Sequence, residues 1–381
     1  DQYLVRVNKP NYYSWKQKIK IKSRIKTFNK DIILFKKELP FLRINGAINL
    51  FNTSIDNTGA LYSIIKNGVE EIKYLNFKNG NDLTIENLNK NQYDILEFVE
   101  WSPNGKKALV KKSIGDFNQF LIIDIETLKI KELFDITRDN FEKVSWDKKN
   151  NAYIYGIKGS VLYRINLAEN NTTSILSDHI SDFIARGKKV FYLTQIGLES
   201  FLNQAILNNG DEIEYRKIKL TSPSEFILKS SPENYLVLIN KKNNNLFVLD
   251  ENVFSDQSIE DNIILQGNAK ETVWSENNKS LIYYTDFELW HYDLEKNEKQ
   301  LLNRYGQTIA QANWYPNNKY VIYSTVEQIR ATELFKGETK NDIVLTKINK
   351  VDKVVVDQKG LNIYFVGAIG NQSGIYQLPI Q

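Results

Sequence analysis

The sequence predicts an all-β chain folded as a β-propeller of four-stranded blades. Three observations predict it. A short phrase of tryptophan, polar turn and hydrophobic strand recurs as "WSPNGKKALV" at Trp101, "WDKKNNAYIY" at Trp146, "WSENNKSLIY" at Trp274 and "WYPNNKYVIY" at Trp314. The repeats are spaced by roughly 40 residues or multiples of that, the period of a propeller blade. Between the turns lie short runs rich in Val, Ile, Tyr and Phe, the composition of strands. A lone four-stranded sheet cannot hide both its faces, and radial stacking of blades solves that problem while leaving few open edges.

The elements follow in chain order. Residues 1–38 lie outside the repeat and are expected to form a separate small β-module of two or three strands. Residues 39–381 are expected to form the propeller. Its first unit begins near Ala47 with "AINLFNTSIDNTGALYSIIKNG". The second runs from Val99 to Phe134, with a strand to Trp101, the turn "SPNGKK", the strand "ALVKKS", and two strands in "QFLIIDIETLKIKELF". Units with tryptophan span Lys143–Leu176, Thr272–Leu302 and Gln311–Ile348. Weaker copies begin at Asp182, Glu225 and Lys353. Eight blades are expected, and seven if the copies near Ala47 and Lys353 share one blade. The last copy lacks a fourth strand, and "PFLRIN", Pro40–Asn45, is expected to supply it and close the ring.

Composition narrows the function. With no cysteine, the 381 residues can form no disulfide, thiol nucleophile or cysteine-ligated metal site. A net charge of +4 gives no basic field of the kind that nucleic-acid binders concentrate, so no nucleic-acid partner is expected. No apolar run of about 18 residues occurs, so no transmembrane helix is expected. There is no methionine, and the chain is expected to start upstream of residue 1. No P-loop, dinucleotide-binding glycine motif, H-E-x-x-H or EF-hand loop is present, so neither cofactor nor metal is expected.

The candidate site residues each have a structural explanation. Trp101, Trp146, Trp274 and Trp314 occupy one repeat position, where each is expected to end an inner strand and pack between neighbouring blades, since a large aromatic buries about 150–250 Å². Asp124, Asn166 and Asp293 precede the third turn of their units and are read as turn residues whose side chains bond backbone amides. His179 and His291 are the only histidines. "GNQSG", Gly370–Gly374, is not a nucleophile elbow, because its serine falls one place late. Glu70 and Glu71 are read as surface charge. In "KQKIKIKSRIK", Lys16, Lys18, Lys20, Lys22, Arg24 and Lys26 alternate with Ile19, Ile21 and Ile25 at three of the intervening places. A strand would set the six cations on one face, either as a solvated edge guard or in contact with an anionic membrane or cell-wall polymer.

Two resemblances add to this. "VRVNKPNYYSWKQKIKI" looks like the second half of a PEGA domain, a small β-sandwich of envelope proteins, with Asn11 standing where that family usually has glycine and without its signature tetrapeptide. "WSPNGKK" is similar to the W-S-P-D-G-K-K turn of TolB-like and WD40-like propellers. Together they imply a non-enzymatic, extracytoplasmic envelope protein, anchored to the membrane through an upstream segment. Its propeller would present a binding platform to a protein, peptide or glycan. The alternative is a carbohydrate-active or peptide-cleaving enzyme with its site at a channel mouth, a class that propellers also host.

Overall fold

The computed structural model describes residues 2–21, 32–89, 94–115, 117–208, 211–220, 225–256, 259–334 and 340–381. It is an eight-bladed propeller of four-stranded antiparallel blades. Outside the blades, β1 (Gln2–Val7) and β2 (Trp15–Lys20) form a two-stranded antiparallel sheet. β3 (Phe41–Asn45) belongs to the last blade.

The first blade is β4–β7 (Ile48–Thr53, Gly59–Lys66, Val69–Asn76, Asp82–Asn89). The second is β8–β11 (Asp94–Trp101, Lys107–Ile114, Phe117–Asp124, Lys129–Glu132), and the third β12–β15 (Lys143–Asp147, Asn150–Lys158, Val161–Asn166, Asn171–Ser177). Then come β16–β19 (Ile180–Arg186, Lys189–Ile196, Glu199–Asn208, Asp211–Lys219) and β20–β23 (Phe226–Lys229, Tyr235–Asn240, Asn245–Asp250, Ile263–Asn268). The sixth and seventh are β24–β27 (Glu271–Trp274, Ser280–Tyr284, Glu288–Asp293, Glu298–Arg304) and β28–β31 (Ile309–Trp314, Tyr320–Thr325, Gln328–Glu333, Asp342–Lys347). The eighth contains β32–β34 (Lys350–Val356, Asn362–Ile369, Gln372–Pro379), with β3 hydrogen-bonded to β34 as its fourth strand. The copies near Ala47 and Lys353 are therefore separate blades, and "PFLRIN" completes the eighth as expected.

The second unit ends differently from its sequence reading. Leu133 and Phe134 do not continue the strand: β11 stops at Glu132, and Leu133–Thr137 form a short helix, α1. Leu133 is buried there against Phe141 and Trp146, so burial of one side chain turns the chain inward.

The chain divides into two compact units, one made of Asp1–Gly59 with Lys270–Gln381 and the other of Ala60–Ala269. Within each, the core lies between sheets. In β29, Tyr320 and Ile322 pack with the eighth blade, while Val321 and Tyr323 pack with the sixth. In β17, Phe191 and Leu193 face the β20–β23 sheet, and Val190 and Tyr192 face β12–β15. Successive strand side chains point to opposite faces. A central strand buried on both faces therefore reads as an unbroken apolar run.

The first turn of three blades also has a local cause. In "SIDNTG", "SPNGKK" and "SENNKS" the serine hydroxyl donates to the Asx two places on, at 2.7 Å for Ser54–Asp56 and 2.8 Å for Ser102–Asn104 and Ser275–Asn277. The same hydroxyl accepts the amide five places on, from Gly59, Lys107 or Ser280. Asn57, Gly105 and Asn278 then take the left-handed conformation that asparagine and glycine tolerate.

Candidate functional site

Of the four repeated tryptophans, Trp146 and Trp314 contact the preceding blade. Trp146 is fully buried beside Leu109, Phe120 and Ile122 of the preceding blade. The Trp314 indole donates to the Val273 carbonyl at 3.0 Å, and its ring meets His291 edge-on at 5.8 Å, both contacts reaching the preceding blade. Trp101 stacks obliquely on Phe98, 5.7 Å away. Trp274 is half-buried at the end of β24. Asp124, Asn166 and Asp293 hold their turns, accepting from the amides of Glu126 and Thr127, of Ala168 and Glu169, and of Lys296. His179 occupies a turn with φ of 50°, and His291 is buried. Ser373 is the second residue of β34, where its carbonyl accepts the Gly46 amide at 3.0 Å. Glu70 is a correction. It is buried, not at the surface, and accepts the Ser63 hydroxyl at 2.7 Å.

Of the basic stripe, Lys16, Lys18 and Lys20 are exposed on one face of β2, opposite Arg6, Leu4 and Gln2 of β1. Lys22, Arg24 and Lys26 lie outside the described residues. The other face of β2 is anchored. Trp15 is buried and donates to Glu333 at 3.1 Å, while the Asn341 amide accepts the Lys16 N–H at 3.1 Å and donates to its carbonyl at 2.9 Å.

Sequence reasoning missed the polar groups that join blades. At the sixth–seventh boundary, Asp342 accepts from Tyr305 and Tyr323, each at 2.8 Å, and from Arg330, while Asn303 donates to both Tyr323 and Asp342. Burial holds the Tyr323 phenol above its ordinary pKa, with the Asp342 charge adding to the effect, and pushes Tyr305 up to about 12. Both phenols therefore stay protonated and donate. Burial pushes the neighbouring Lys340 amine down to about 8, partly opposed by Asp342, and that amine donates to the Leu302 carbonyl. The phenols, the carboxylate and the guanidinium are all engaged with one another, so the cluster staples two blades. A second cluster in the other unit buries Arg186, which donates to Glu251 at 2.8 Å, the Ser231 hydroxyl at 2.8 Å and the Tyr235 carbonyl at 2.9 Å. Burial works to raise the Glu251 carboxyl, but Lys189 and Arg186 outweigh it and hold the pKa below the usual range. Tyr, Arg and Asp at unremarkable repeat positions carry no sequence signal of such pairings, because the partners are distant in sequence.

In unit Ala60–Ala269 the two ends of the sheets differ in chemistry. At the end with the β9–β10 and β17–β18 turns, Ile95, Phe117, Ile196 and Leu198 are exposed, Phe117 at 68% and Leu198 at 80%. A polar recess of about 200 Å³ opens at the same end, between Thr194, Ser200 and Glu225. At the opposite end the first turns carry paired lysines. Lys106 meets Glu126 at 2.9 Å, Lys189 meets Glu251 at 2.6 Å, and Lys148 and Lys149 pair with Glu100 and Glu233. Among the described residues no group of three or more His, Asp or Glu converges as a metal site.

This fold is that of a WD40-like propeller. The chain is similar to the C-terminal WD40 domain of Sif2, at 12% identity over 91% of this chain and 99% of that one, with a TM-score of 0.56. It is equally similar to the Dos1 propeller, at 12% identity over 90% and 96%, again with a TM-score of 0.56. The dihydro-heme d1 dehydrogenase NirN matches at 10% identity over 87% of this chain and 75% of that one, with a TM-score of 0.57. Identities this low show the fold alone. No protein-family model and no curated protein matches the sequence.

Proposed function

We propose that the protein is a non-enzymatic interaction platform that takes a protein partner at the apolar end of unit Ala60–Ala269. The observation that carries this reading is the exposure of Ile95, Phe117, Ile196 and Leu198 at one end of the sheets, while Lys106, Lys148, Lys149 and Lys189 at the other end are ion-paired. Single exposed apolar residues are ordinary, but several at one end of the sheets mark a contact surface. Turn tips also vary without disturbing the blades beneath them. The setting proposed is the outer face of a bacterial membrane, supported by the PEGA-like sequence of Val5–Ile21.

A photo-reactive residue at position 198 is expected to trap a discrete partner in native extract, and the same residue at position 106 is not. With that partner purified, the Phe117→Lys/Leu198→Lys double variant should bind at least tenfold more weakly. Unchanged affinity in that variant would refute the site. Protease treatment of intact cells should degrade the protein if the envelope setting is right, and full protection would refute it.

A further inference from the structure

Two concavities lie side by side at the lysine-rich end of unit Ala60–Ala269, and they share Gly187 and Lys188. One, about 240 Å³, has Tyr153, Tyr155, Arg164 and Lys188 around the buried Asp147. The other, about 310 Å³, has Lys149, Arg186 and Lys189 with Glu233 and Glu251. Together the walls hold five cations and three carboxylates.

The carboxylates are already engaged. Glu251 takes Arg186 and Lys189, and Glu233 takes Lys149. Asp147 accepts the amides of Lys149 and Gly187 at 2.8 and 2.9 Å. Among the described residues Arg164 and Lys188 are left without a carboxylate. Both line the first concavity. The Arg164 guanidinium lies 5.2 Å from the Tyr153 ring centroid, a stacking that orients its donors. Burial pushes the Tyr155 phenol up to about 12, with the Asp147 charge adding to the shift, so it stays protonated at neutral pH.

We infer that this concavity is a docking site for an acidic peptide segment, with one Glu or Asp carboxylate seated between Arg164 and Lys188. A planar guanidinium matches a carboxylate in a two-point geometry. The Tyr153 ring and Leu207 supply apolar wall for the methylenes of a glutamate. Asp147 beside the seat disfavours a dianion, so a carboxylate fits better than a phosphate. A neighbouring acidic residue of the segment would reach Lys149 or Lys189 at the second concavity. The site is at the opposite end from the apolar surface, so either reading can fail without the other.

The test is fluorescence anisotropy with a fluorescein-labelled hexaglutamate peptide at low salt. Binding is expected, weakening as salt rises. Lys188→Gln, an exposed residue, should weaken it several-fold, and Arg164→Gln/Lys188→Gln at least tenfold. Lys106→Gln removes one equally exposed charge outside the concavity and should leave the affinity unchanged. Hexaglutamate bound equally by wild type and by the Lys188→Gln variant would overturn the inference. So would a loss in Lys106→Gln equal to that in Lys188→Gln, or displacement of the peptide by equimolar inorganic phosphate or single-stranded DNA.

Discussion

Asp182 shows how much of this propeller depends on single polar side chains. The residue is buried at the start of its blade. One carboxylate oxygen accepts the Phe183 amide at 2.7 Å and the Lys143 ammonium, and the other accepts the Leu228 amide at 3.0 Å. One side chain thus links β16 to the first strands of the blades on either side. Glu100 does the same work one blade boundary earlier, accepting the Trp146 amide and the Ser145 hydroxyl. Gln311 and Asn313 do it at the last boundary, where they meet the amide and carbonyl of Val354 at 2.9 and 2.6 Å. Removing the Asp182 carboxylate would strand the Leu228 N–H in a dry boundary, and such an unsatisfied group costs about 1–3 kcal/mol. Asp182→Ala is therefore expected to lose about that much stability in denaturant unfolding. Asp182→Asn keeps an acceptor and should lose less. Equal losses in the two variants would show that the charge contact with Lys143, not the amide bond, carries the effect.

Elements were more legible than their junctions. Alternation and turn chemistry mark the blades, because "VIY" and "VFYL" strands can only be buried on both faces, and Ser-x-Asx-Asn/Gly turns place their own bends. The closing strand was legible too, since the last unit lacked a partner and "PFLRIN" had no other. The helix at Leu133–Thr137 was not, because "KIKELF" has strand composition and only the pocket beside Phe141 and Trp146 decides its course. The Tyr305, Tyr323 and Asp342 cluster was invisible for the same reason, with partners 18–37 residues apart on two blades. The apolar turn tips at Phe117 and Leu198 can be read in the sequence as large side chains beside turn glycines, once the turns are known. The closing strand makes a sharp prediction. A Cβ on Gly374 would sit 1.9 Å from the Ile44 carbonyl oxygen and 2.9 Å from Leu42, so β3 must move to accept any side chain. Overpacking of this kind costs about 1–3 kcal/mol. Gly374→Ala should lower the melting temperature and open the chain near residues 41–45 to limited proteolysis. Ala substituted at exposed Ser373 should do neither. A Gly374→Ala protein with wild-type melting and cleavage would show that β3 does not hold the blade shut.

At the scale of the whole molecule, the question is what residues 1–38 do for the blades. Their described part packs inside the unit that also holds Lys270–Gln381. Trp15 is buried against the seventh blade through its bond to Glu333. Phe35 is fully buried, edge-on to Tyr315 at 5.6 Å and Tyr320 at 5.3 Å. Backbone bonds tie Lys36 to Ile380 and Tyr13 to Phe35, and the Gln381 side chain reaches the Leu34 carbonyl. A module merely tethered to the propeller would bury none of these. Each large apolar side chain taken out of water contributes about 1.5–3 kcal/mol. A chain of residues 39–381 would expose Tyr315 and Tyr320 and lose both anchors, so it should melt several degrees below the full chain. Trp15→Ala in the full chain should reproduce part of the loss, on the scale of about 3–5 kcal/mol for a buried tryptophan. Differential scanning calorimetry of the three proteins decides it: if residues 39–381 melt at the same temperature as the full chain, the N-terminal stretch is an independent module and its aromatic anchors contribute nothing to the blades.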